Sequence, residues 1–114
     1  TPLNLSDGVA EVSLSTTPEM CADDHGLVHG GFVFGLADYA AMLAVNDPLV
    51  VLGAASTRFL APVRVGDVVV AHAARTDQKG RKHTVSVTAQ VNETVVFTGE
   101  FTTFVLDQHV LSTA

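Results

Sequence analysis

Only one cysteine, Cys21, occurs in 114 residues, so no internal disulfide framework can staple the fold. A lone thiol suits a reducing compartment, and the cytoplasm is the expected location. Only His25 lies near enough in sequence to serve Cys21 as a base, and the thiol is read as passive. No apolar run reaches the roughly 18 to 20 residues that a membrane span needs. With no basic secretory leader in these residues either, a soluble chain without a membrane partner is expected. No repeat, low-complexity tract or linker-like segment divides the sequence, and residues 1–114 are expected to form a single domain around one core.

Basic residues are missing from the whole first half. Residues 1–57 carry seven acids and no Lys or Arg, while Arg58, Arg64, Arg75, Lys79, Arg81 and Lys82 all follow. A net charge of −6 argues against nucleic acid as a partner. A polyanionic group would therefore dock on the second half, most simply at the run from Lys79 to His83, which on charge alone also reads as a solvated hairpin tip. Signature motifs are missing too: there is no GxSxG, P-loop, GxGxxG or CxxC. His25 and His29, with Asp23 and Asp24 beside them, have a spacing that gathers two imidazoles only on a helix. Gly26, Gly30 and Gly31 break that pattern, and no metal site is expected. His72, His83 and His109 show no catalytic spacing and read as strand or surface residues.

What is present is regular. Residues 8–16 alternate apolar and polar positions as a strand does. A loop rich in Pro, Asp and Gly follows. A helix then opens at Gly30 and Gly31 and carries Phe32, Leu36, Tyr39, Ala40 and Leu43 at helical spacing, with Phe34, Asp38, Met42 and Val45 on a neighbouring stripe. Asn46 to Pro48 end it. Segments 49–63, 67–77, 82–92 and 94–106 are rich in Val, Thr and Phe and read as strands, largely a meander, with a hairpin tip at Gln78–Gly80 and a tight turn at 91–94. A helix that is apolar on most sides, together with a long antiparallel sheet, predicts an α+β packing in which the sheet wraps around the helix. The exposed sheet edge predicts edge pairing and a homodimer, or a tetramer built from it.

Two features carry chemistry. Gly30 and Gly31 place bare amides in the first helical turn, where no internal acceptor exists. With the helix dipole, they suit a carbonyl oxygen that gains negative charge. Asp38 stands among apolar residues with no basic partner at i+3 or i+4, a costly placement for a charge without a task. It lies about 12 Å along the helix from Gly30 at 1.5 Å per residue, too far to share one reacting atom within a chain. Two antiparallel helices would bring the Asp38 of one chain to the helix start of the other. There a carboxylate can act as general base or as nucleophile. Phe32, Phe34 and Met42 are candidate pocket residues, although residues of this kind are more often plain core.

The stretch HGLVHGGFVFGLADYAAMLAVN followed by STRFLAPVRVGDVVVAHA resembles the hotdog-fold acyl-CoA thioesterases of the PaaI-like group, over nearly the whole chain. That resemblance implies an antiparallel sheet around a central helix, paired subunits, an acyl-CoA thioester as substrate and no cofactor beyond the CoA it carries. It places the oxyanion-hole glycine at Gly30, after His29, and the catalytic carboxylate at Asp38. Gly31 and Phe34 join the substrate-binding set. The family's Asn, six residues before the His, falls on Asp23, an acid that cannot donate through an amide. The family's hydroxyl residue falls near Leu52. Arg58, Arg64, Lys79, Arg81 and Lys82 become candidates for the CoA phosphates. The string TTPEMCADDHGLVHGGFVFGLADYAA is also similar to a bacterial subgroup of hotdog proteins linked to flagellar-regulon and virulence functions, and AMLAVN with STRFLAPVRVGD is similar to the ligand-binding domain of a lipid-responsive repressor. A non-catalytic acyl-CoA sensor is therefore the second reading and a hotdog hydratase the third.

Overall fold

The computed structural model describes residues 2–107. Strands β1 (Pro2–Ser6) and β2 (Val9–Ser15) are followed by a 3-10 turn at Pro18–Met20 and by helix α1 (Gly30–Val45). Strands β3 (Val50–Phe59), β4 (Val68–Lys79), β5 (Lys82–Val91) and β6 (Thr94–Val105) complete the order. They form one antiparallel sheet in the order β1-β2-β4-β5-β6-β3.

Several sequence expectations need correction. The sheet has an additional strand, β1, joined to β2 through Asp7 and Gly8, with Gly8 at φ 76°. Asp-Gly is a strong hairpin signal, but the short strand before it offers too little alternation to be recognised. Only β4, β5 and β6 form the meander. β3 crosses to the far edge and pairs with β6 (Ala55 with Phe101, Phe59 with Phe97). Residues 60–67 form a loop instead of a hairpin, with Gly66 at φ 96°. Gln78 and Lys79 belong to β4, so the hairpin tip is Gly80–Arg81, with Gly80 at φ 60°.

The helix is also less enclosed than expected. Its buried side, Val33, Leu36, Ala37, Ala40, Ala41, Ala44 and Val45, packs chiefly on β2, β4 and β5. Alanines at the crossing let the backbone come close to the sheet. The opposite side leaves Gly31, Phe32, Gly35 and Tyr39 exposed. Apolar composition cannot separate these sides, because both are apolar and only one meets the sheet. Asn46 ends the helix in the left-handed region (φ 54°), its amide donating to the Met42 carbonyl.

Strand alternation sets the core. Val69, Ala71 and Ala73 of β4, Val85, Val87 and Ala89 of β5, and Phe97 and Phe101 of β6 are buried. Gly99 lies between the two phenylalanines. A Cβ there would stand 2.8 Å from the Phe101 ring, 3.1 Å from Thr57 Cγ2 and 3.2 Å from the Phe97 ring. Both rings are fully buried and cannot swing aside. Gly99→Ala is expected to lower stability by about 1–3 kcal/mol through overpacking, read as a fall in the denaturation midpoint at unchanged slope.

Candidate active site

The start of α1 is held in place from both sides. The Val28 amide donates to the Val63 carbonyl at 2.7 Å, and the Val65 amide to the Gly26 carbonyl at 2.8 Å. The His29 amide donates to the Met20 carbonyl at 2.8 Å. Thr16 braces the same corner, its hydroxyl donating to the carbonyls of Asp67 (2.7 Å) and Arg64 (3.0 Å). The loop before the helix is thus tied to the loop between β3 and β4.

In that frame, no acceptor among the described residues takes the amide hydrogens of Gly30 and Gly31. The Phe32 amide turns back to the His29 carbonyl at 3.0 Å. His29 itself is exposed and makes no side-chain cap. Its Nδ1 lies 3.9 Å from where a Cβ on Gly31 would stand. Two openings flank the glycines. One, of about 390 Å³, is lined by Gly30, Val33, Phe59, Leu60 and Val96 and is otherwise apolar. The other, of about 280 Å³, runs along the open side of the helix past Gly31, Gly35 and Tyr39 against Ser13 and Leu14. The ring of Phe59 covers Gly30: a Cβ there would be 3.3 Å from Phe59 Cε1. Phe59 in turn meets Phe97 edge to face at 5.1 Å.

Asp38 is half-buried, and its Oδ1 is sealed from solvent with no hydrogen-bond partner among the described residues. Burial raises its carboxyl above the ordinary carboxylate value, because an unpaired charge loses water without compensation. At helical spacing Asp38 follows Gly31 and Gly35 on the stripe that faces away from the sheet. Within one chain it remains about 12 Å along the axis from Gly30.

The other candidates are dispersed. Asp23 is exposed, and its Oδ1 accepts the amides of His25 (2.9 Å) and Leu27 (3.1 Å), so that oxygen is occupied in shaping the loop. The Cys21 thiol donates to the Asp23 carbonyl at 2.7 Å. The Phe34 ring packs on the buried Phe101 at 5.6 Å, on the core side. Arg64 bridges to Leu27 near the helix start, and Arg58 is exposed on β3 opposite Thr98. Lys79, Arg81 and Lys82 stand at the other end of the molecule, at the β4–β5 tip, where Arg81 pairs with Asp107. Leu52 is an exposed apolar residue on β3. Among the described residues no group of His, Cys, Asp or Glu is placed to hold a metal ion, and no helix is long and apolar enough to cross a membrane.

Two features escaped the sequence reading. Phe59 is one strand residue among many until β3 ends beside Gly30. His83 lies on strand β5, one of the two expected placements, but at 7% exposed it is buried and not a surface residue; its period of two with Val85, Val87 and Ala89 was the available signal. His109 lies outside the described residues.

A family model, the thioesterase superfamily, matches residues 25–98. The chain belongs to the thioesterase superfamily. It has the hotdog fold. It superposes on an uncharacterized protein of Pyrococcus horikoshii with a TM-score of 0.97 at 54% identity, covering 98% of this chain and 86% of that one. A sigma28-regulated virulence protein of Campylobacter jejuni follows at 0.94 and 31%, with 98% and 80% covered. A variant of the phenylacetic acid degradation protein PaaI of Thermus thermophilus gives 0.86 and 30%, with 93% and 92% covered. The expected likeness to PaaI-like hotdog proteins, and to the virulence-linked subgroup, is thereby met. Among curated sequences, methylthioribose-1-phosphate isomerase of Aquifex aeolicus is 51% identical over 93% of this chain, and the transcription factor FapR of Shouchella clausii 39% over 74%. The chain spans only 24% and 44% of their respective lengths.

Proposed function

We propose that this thioesterase-superfamily chain hydrolyses acyl-CoA thioesters at a site shared by two copies. The observation that carries the reading is the pairing, on one helix, of two acceptor-free amides at its start with an unpartnered, desolvated carboxylate on its open side. The thioester oxygen is held by the Gly30 amide, with Gly31 and the helix dipole beside it. Asp38 of the other copy activates water or attacks the acyl carbon. Gly31 and His29 border the site, and Asp23 shapes its loop. The apolar opening beneath Phe59 takes the acyl group, and the basic residues of the second half take the phosphates. CoA enters as part of the substrate, and no other cofactor is called for. Direct measurement of thioester loss across short, long and aromatic acyl-CoAs tests this, since thiol reagents would also report Cys21.

The shared site requires a dimer. Phe32 and Tyr39 on the helix, and Leu52, Phe59 and Leu60 on and just beyond the edge strand β3, are exposed apolar residues of the kind a second copy covers. Sedimentation is expected to give at least twice the chain mass. Gly35→Arg, at a position where a Cβ meets nothing within 4 Å in its own chain, is expected to yield a folded monomer without hydrolytic activity.

The FapR similarity favours a second reading, in which the same cleft binds acyl-CoA without turnover. The Asp23 carboxylate, whose Oδ1 is taken up by the loop amides of His25 and Leu27, agrees with it. Binding of every acyl-CoA tested with no loss of thioester would establish that reading in place of hydrolysis.

A further inference from the structure

The opening of about 390 Å³ at the start of α1 has an unusually uniform lining. Besides Gly30 and Phe59 it consists of Leu, Val, Ala and Pro, and no side chain in it carries a polar atom. A carboxylate or hydroxyl that entered would lose water and find no side-chain partner, which is costly. The opening therefore suits a plain hydrocarbon group and disfavours a dicarboxylic or hydroxylated one.

Phe59 differs from the other wall residues in how it is held. It is the last residue of β3, opposite the buried Phe97 of β6, and residues directly opposite on neighbouring strands share a face of the sheet. The chain leaves the sheet at once, the Leu60 amide donating to the Val96 carbonyl at 2.8 Å. The backbone of Phe59 is thus fixed, and its ring leans edge to face on Phe97 at 5.1 Å. Its outer side is open, for Phe59 is 56% exposed. Its inner side stands against Gly30, where an added Cβ would meet three ring carbons at 3.3, 3.6 and 3.8 Å.

That contact fixes which part of an acyl group the ring meets. An oxygen that accepts from the Gly30 amide at about 3 Å brings the carbonyl carbon, and the first chain carbon after it, beside Gly30 and under the ring. Later carbons run on towards Val33, Val63 and Val96. The valines then gauge length, and Phe59 gauges bulk next to the carbonyl.

We propose that Phe59 is a specificity-determining residue of this site: it admits unbranched hydrocarbon acyl groups and excludes those with a ring or branch on the carbon next to the carbonyl. The inference rests on the reading above in one respect, that Gly30 holds the thioester oxygen. A second copy that covers the outer side of the ring leaves its inner side to the substrate.

The test compares octanoyl-, benzoyl- and succinyl-CoA in the parent, Phe59→Leu and Phe59→Ala. The parent is expected to favour octanoyl over both others. In Phe59→Ala the ratio of kcat/KM for benzoyl to that for octanoyl should rise about tenfold, the scale on which a hydrophobic pocket discriminates small changes in bulk. Phe59→Leu should fall between. Succinyl-CoA should remain disfavoured in all three, because neither substitution adds a polar group. Since the ring is half-exposed, both variants should fold, as circular dichroism would show; if sedimentation finds that Phe59→Ala loses the parent's assembly, Phe59→Leu carries the comparison. A uniform change across the three substrates overturns the role of Phe59 and leaves hydrolysis standing. A parent that prefers succinyl-CoA overturns the hydrocarbon assignment. If no thioester is consumed, the same ratios are read as dissociation constants by calorimetry. A benzoyl-to-octanoyl affinity ratio that rises in Phe59→Ala then upholds Phe59 and overturns hydrolysis, and an unchanged ratio overturns both.

Discussion

Asp38→Asn is expected to reduce acyl-CoA hydrolysis by about 10²–10⁴-fold, the usual share of a positioned acid or base, while acyl-CoA binding persists. Asparagine keeps the size and one carbonyl oxygen of the side chain but can neither take a proton from water nor attack an acyl carbon. The pH profile of the parent should carry the same signature. Burial raises the Asp38 carboxyl above its ordinary value, and a base or nucleophile must be ionised to act, so on the proposed mechanism kcat/KM should rise with pH through that raised pKa. The acidic limb therefore lies higher than a solvated aspartate would place it. Stability should move the opposite way. The folded chain holds the Asp38 proton more tightly than the unfolded chain, so its contribution is fully favourable below the unfolded pKa and is lost as pH rises through the folded one. Asp38→Asn should thus melt at a higher temperature than the parent at neutral pH, with the difference closing as pH falls through the raised pKa. A variant that is inactive and more stable shows that the acid was kept for chemistry. Retained activity at neutral pH would remove Asp38 from the mechanism.

Gly30→Pro is expected to cost about 10²–10³-fold in kcat, as does the removal of one oxyanion donor elsewhere. Proline lacks the amide hydrogen, yet it suits the first position of a helix, where that hydrogen has no internal acceptor. His29 already has an extended backbone, φ −60° and ψ 130°, which the residue before a proline requires. The helix should therefore persist, as circular dichroism would show, while the donor is gone. Gly30→Ala is the control for bulk. It retains the amide and adds a methyl 3.3 Å from the Phe59 ring, a half-exposed side chain that can yield. Alanine should keep much of the rate that proline loses. Equal losses in both would mean that the space under Phe59, and not the amide, is what the reaction needs.

Parts of α1 can be read without the fold. The glycine end is local: consecutive glycines at a helix start leave their amides free because no turn precedes them, and that can be read from residues 29–31 alone. The carboxylate is local as well, since the absence of a basic residue three or four positions on marks Asp38 as unpaired. Likewise the period of β4, β5 and β6 and the stop at Asn46 follow from short-range pattern, because side-chain direction along a strand or helix is fixed by backbone geometry.

The rest is decided by contacts distant in the chain. Asp23 is the exception, its carboxylate accepting the amides of His25 and Leu27 only two and four residues on. Phe59 reaches Gly30 at the helix start because β3 crosses the sheet to pair with β6, a connection that local propensity cannot choose. The basic residues look like one group in the second half, yet the fold sends Arg64 to the helix start and Lys79, Arg81 and Lys82 to the opposite end. The helix reads as apolar almost all round, and only packing shows that one side meets the sheet while the side bearing Gly31, Gly35 and Asp38 stays open. The sequence by itself determined which groups were available and how each element formed. The tertiary structure decided which of them meet, because burial and proximity depend on pairings between residues far apart in the chain.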